Sequence, residues 1–123
     1  GRVDLDELDA LVDGMVAHLV ETERTSDGQH DDLLALDMRF HDLIYQATGN
    51  TRLVNAWEAL RSQMYLFQMT RIRLSHQHYR NIVVDEHREI VRLLRAGDGY
   101  ALAQYAEEHV QSGRRVLVAA LTP

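Results

Sequence analysis

The stretch LDMRFHDLIYQATGN, residues 36–50, sets two chemically active side chains on a face that should be apolar. Asp37 and His41 stand four residues apart, so on a helix they share one face, about one turn from each other. The same face carries Leu33, Leu34, Phe40, Ile44 and Ala47. Further along, Val83, Val84, His87, Ile90, Val91 and Leu94 follow helical spacing with His87 at the middle of the stripe. A last stripe reads Leu102, Tyr105, Ala106, His109, Val110, Val116 and Leu117, with His109 on the seam. One carboxylate and three imidazoles therefore point inward from three helices. His18 lies off the seam of its helix, His30 in an acidic helix start, and His76 and His78 in an expected corner before a later helix.

An unpaired carboxylate in an apolar interior costs several kcal/mol, so something must compensate Asp37. One answer is a hydrogen-bonded network in which Asp37 holds a protonated histidine. The other is a divalent metal, because ligand sites in helical bundles are built from side chains on facing helices. A set of nitrogen and oxygen donors suits Zn, Ni, Mn, Fe or Co. Spacing alone leaves both answers open.

The elements that must position these residues are helices. The only proline among 123 residues is the last one, and apolar residues recur at steps of three and four. Asp4 can cap a first helix, with Glu7 at the capping-box position and a seam of Leu8, Leu11, Val12, Met15, Val16 and Leu19. A second helix is predicted from about Gln29 to Thr48, where Gly49 lets the chain turn away. Asn50 caps a third, to about Leu74, with a seam of Leu53, Trp57, Leu60, Met64 and Phe67. The segment SHQHYR is expected to form a corner. A fourth helix then runs from about Tyr79 to Ala96, and Asp98 caps a fifth after Gly97. The expected fold is all-α, an antiparallel bundle of about five helices in one domain.

Composition narrows the function further. The net charge of -6 disfavours nucleic-acid binding by this segment, since phosphate wants a basic face. Absence of cysteine excludes disulfides, thiolate metal sites and cysteine nucleophiles. No apolar run approaches the ~20 residues that span a bilayer, and a cytoplasmic location is expected. No nucleophile elbow, phosphate loop or dinucleotide fingerprint is present.

As a set, DMRFHDLIYQATGN, then EHREIVRLLRAGD, then a helix carrying EEH, resembles the FCD domain, the effector-binding domain of FadR-type regulators in the GntR family. The resemblance spans about Leu8 to Val118. It implies an antiparallel helical bundle with a central cavity and, in the family's metal-binding branch, a divalent ion held by Asp37, His41, His87 and His109. It also implies a homodimer that responds to a small effector. The family's winged helix-turn-helix, which reads DNA, is not in this segment, so DNA contact is expected only through a separate domain. The family's usual first helix is also absent.

Such a site would take a small carboxylate or hydroxy acid at the metal, with Phe40, Ile44, Met64, Phe67 and Val91 as walls. Arg61, Arg71 and Arg80 are the candidates to grip its far end. The rival expectation is a metal-dependent hydrolase or oxygenase. Glu86 and Glu108, each next to a proposed ligand, point about 100° away from it on a helix and are poorly aimed as general bases. Asp42, next to His41, has the same fault. A sensor rather than an enzyme is the expected role.

Overall fold

The computed structural model describes residues 4–25 and 31–122. Within these, the side chains of 22–25, 31, 32, 71, 75–79, 109, 110, 112, 113, 116, 117 and 120 lie outside the description. The described residues form four α-helices: α1 (Leu5–Thr25), α2 (Asp31–Ala47), α3 (Thr51–Ala96) and α4 (Gly99–Leu121). The all-α expectation holds.

Local chemistry sets the helix ends. The Asp4 carboxylate accepts the Glu7 amide at 3.0 Å, the Asn50 side chain accepts the Leu53 amide at 3.1 Å, and Asp98 accepts the Ala101 amide at 3.0 Å. Each satisfies one of the amides that a helix start leaves without a partner. At the end of α2, Gly49 takes φ 65°, and after α3 Gly97 takes φ 70°. Both are left-handed values that glycine adopts without a Cβ penalty.

One expected boundary is absent. The polar stretch Ser75–Arg80 is no corner: α3 runs unbroken for 46 residues, so the third and fourth expected helices are one. The physical reason lies in composition. Ser, His, Gln, Tyr and Arg are modest to good helix formers, and neither proline nor glycine interrupts them. Polarity was the only signal for a break, and polarity alone does not end a helix.

The chain divides into two compact units, residues 1–69 and 70–123. In the first, α1 packs on α2. Glu7 reaches Arg39 while Gly14, later on α1, meets Leu36, so the two helices run antiparallel. Leu8, Val12 and Met15 of α1 are fully buried, as are Leu33, Leu34 and Phe40 of α2. Burying side chains of this size contributes about 1.5–3 kcal/mol each relative to exposure. Val16, placed on the expected seam, is instead exposed.

Along α3 the first unit buries Trp57 and Gln68, whereas the expected seam residues Leu53 and Leu60 are exposed. In the second unit, Val83, His87, Ile90 and Val91 are buried with Ile72 and Leu93. The first four fall at i, i+4, i+7 and i+8, one face of a helix. Tyr105 of α4 has its phenol pushed up in pKa, by burial first and then by the charges of Glu86, Glu89 and Asp85. Tyr105 thus lies within electrostatic reach of these α3 carboxylates. Among the described residues, no helix is long and apolar enough to cross a membrane.

Candidate metal centre

Asp37 sits on the buried face of α2 with 1 % of its surface exposed. Its neighbours there include Leu33, Leu34 and Phe40, so the apolar stripe that drives α2 against α1 also carries the carboxylate inward. One turn on, His41 Nε2 lies 3.2 Å from Asp37 Oδ1, and the His41 side chain is 24 % exposed. The two groups do share a face, as their spacing requires.

His87 is 1 % exposed, in the middle of the buried stripe of α3. Its Nδ1 lies 2.6 Å from the Val83 carbonyl oxygen, one turn back on the same helix. A carbonyl only accepts, so Nδ1 carries the proton and donates it. In the neutral form of this tautomer the lone pair is on Nε2. This is the arrangement that metal-binding imidazoles use, with a backbone acceptor fixing tautomer and ring orientation.

Asp37, His41 and His87 each offer one ligand atom, and these atoms lie within 4.8 Å of one another. The trio could hold a metal ion. Its donor chemistry fits a divalent cation: one buried carboxylate supplies charge, and imidazole nitrogen suits Zn, Ni and Fe as well as Mn at mixed sites. The fourth expected ligand, His109, lies on α4, but its side chain is outside the described residues. So are those of Arg71, His76 and His78.

Of the other arginines named for the effector, Arg80 is half-buried. Arg61 is engaged by Asp42: its Nε donates to Oδ1 at 2.8 Å and its Nη2 to Oδ2 at 2.9 Å. Asp42 also accepts the Trp57 indole N–H at 2.7 Å. Burial pushes the Asp42 carboxyl up, but the hydrogen bonds from Arg61 and Trp57 outweigh it and hold its pKa below the usual value. The bidentate pair correspondingly raises the Arg61 guanidinium. Trp57 stacks on Tyr45 with centroids 4.6 Å apart and planes 12° from parallel, and it also lies 6.2 Å from the His41 ring.

Sequence reasoning weighed Asp42 only as a misaimed base and Arg61 only as an effector grip. The signal that connects them was there: Trp57 and Arg61 stand four apart on one helix, and both are donors in need of an acceptor when partly buried.

Comparison with curated proteins and with solved structures returns no match. The family model of the FCD domain does match, over residues 2–112. That match covers most of the chain, and the chain belongs to the FCD family of regulatory domains, the effector-binding part of GntR-type regulators.

Proposed function

We propose that this domain senses a small carboxylate or hydroxy acid through a divalent metal held by Asp37, His41, His87 and His109, and passes that binding on to a separate DNA-binding domain. The observation that carries the proposal is the approach of three ligand atoms, from Asp37, His41 and His87, to within 4.8 Å of one another. Burial of Asp37 strengthens it, because a carboxylate withdrawn from water needs a compensating charge.

A divalent ion held by these residues would supply a Lewis-acidic attachment point for an effector oxygen. The protein's residues do the rest. Asp37 lowers the charge of the site, and His87 presents Nε2 because its Nδ1–H is committed to Val83. An α3 arginine grips the effector's other end. Arg61, Arg71 and Arg80 are the candidates, and Arg61 would have to exchange Asp42 for the effector. Control of DNA binding follows only if the effector binds two arrangements of the protein with different affinity. A homodimer, which the family resemblance implies, matches the two-fold symmetry of a typical operator.

The test is a thermal-shift series on purified, chelator-treated protein with Zn²⁺, Ni²⁺ or Mn²⁺, each with and without a panel of small di- and hydroxycarboxylates. Metal should raise the midpoint, and one class of carboxylate should raise it further only when metal is present. Stabilisation should grow as RT ln(1 + [L]/Kd). Equal response with and without chelator would overturn the metal reading.

A further inference from the structure

We propose that Trp57 is a positioning residue for His41: its indole is a wall, clamped by Asp42 and Arg61, that sets the angle at which His41 presents Nε2. The proposal rests on the metal reading above and adds the device that orients one ligand.

The two histidines of the centre need orientation for different reasons. His87 is almost wholly buried, and its own helix supplies a carbonyl for Nδ1. His41 is a quarter exposed, and the χ2 torsion of histidine has broad, roughly two-fold wells. Asp37 and the Phe40 ring, which meets the His41 ring edge-on with centroids 5.7 Å apart, hold it from its own helix. A flat neighbour from a second helix limits rocking about those contacts further. The Trp57 ring lies 6.2 Å from the His41 ring at an interplanar angle of 46°.

A wall works only if it is itself fixed, and Trp57 is fixed from several directions. Its side chain is 91 % withdrawn from solvent, its exposure being 9 %. Tyr45, one turn beyond His41 on α2, stacks on it at 4.6 Å. Between those two rings in sequence, Asp42 accepts the indole N–H at 2.7 Å. Arg61 holds both Asp42 oxygens, at 2.8 and 2.9 Å, so the acceptor cannot swing away. Bidentate guanidinium–carboxylate pairs add directional rigidity as well as energy. The network therefore runs from Arg61 through Asp42 and Trp57 to His41, entirely within the first unit.

The experiment is a Co²⁺ titration of the chelator-treated chain, read by the visible ligand-field spectrum and by the dissociation constant. Trp57→Leu removes the flat wall and the N–H. It should weaken Co²⁺ by roughly 10–100-fold, the range seen when a group supporting a metal ligand is lost, and should shift the spectrum. Trp57→Phe keeps a ring and should restore most of the affinity. Asp42→Asn loosens the clamp while keeping every ring and should give a smaller loss in the same direction, which keeps the test decisive if Trp57→Leu does not fold. If wild type binds Co²⁺ and both Trp57→Leu and Asp42→Asn, or Asp42→Asn alone where Trp57→Leu is unfolded, bind it with unchanged affinity and spectrum, the positioning role is overturned. If wild type fails to bind Co²⁺ at all, the metal reading beneath it fails instead, and this proposal falls with it.

Discussion

His41 and His87 are the same residue type on two helices, but the regions around them hold a ring in opposite ways. Around His41 the hold is partly tertiary: Asp37 stands one turn back on the same helix, but Trp57 comes from α3, itself held by Tyr45, Asp42 and Arg61. Around His87 the hold is local: a carbonyl of its own helix fixes the tautomer, and burial in an apolar stripe fixes the ring. A ligand oriented by its own helix is insulated from substitutions elsewhere. A ligand oriented by other elements is open to them. The difference predicts that metal affinity should be sensitive to distant changes on the His41 side and insensitive to them on the His87 side.

The largest effect should come from emptying the apolar layer beneath the His41 region. Phe40 is fully buried. Phe40→Ala should cost about 3–5 kcal/mol in urea-unfolding stability, transfer and cavity terms together. Next comes the His87 side, where a single change should act on the metal itself. His87→Ala should remove the metal-dependent rise in melting temperature, a stabilisation of about 2.7 kcal/mol when metal is at 100 times its Kd. His18→Ala should leave that rise intact.

Smaller changes separate structural from site effects. Asp98 caps α4 in the second unit. Asp98→Ala should cost about 1 kcal/mol in denaturant stability without altering metal affinity. Gly14 lies inside α1, and an added Cβ would meet Leu36 at 3.5 Å, an ordinary contact. Gly14→Ala should therefore raise stability by about 0.4–1 kcal/mol. The smallest effect is alkaline. Folding raises the Tyr105 pKa above its ordinary value of 10.0. Its contribution is full below the unfolded pKa and is lost as pH rises through the folded one. Tyr105→Phe should flatten the alkaline fall of a melting-temperature profile above pH 10.0 and change nothing at neutral pH.

What could be read from sequence was whatever depends on near neighbours. Asp4, Asn50 and Asp98 cap helices because a short acceptor precedes the first turn, and Gly49 and Gly97 end them because only glycine takes a positive φ cheaply. Asp37, His41 and His87 were visible as polar residues breaking apolar stripes, and the burial of Asp37 and His87 follows that pattern. Tertiary placement was less visible. Leu53 and Leu60 follow the helical period yet are exposed, while Gln68, a polar residue, is buried. Periodicity gives a face but not what covers it. The continuity of α3 through Ser75–Arg80 was hidden because polarity suggested a corner where no helix-breaking residue stands. In the Asp42–Trp57–Arg61 network the i, i+4 spacing of the two donors is legible, but their acceptor comes from a different helix and is not.

The most direct test of the central claim is an NMR titration of the histidine imidazole nitrogens in the chelator-treated chain with Zn²⁺. The account predicts that the ring signals of His41, His87 and His109 shift together to one saturation point while those of His18 stay in place. Shifts spread evenly over all seven histidines, or none at His41 and His87, would contradict it.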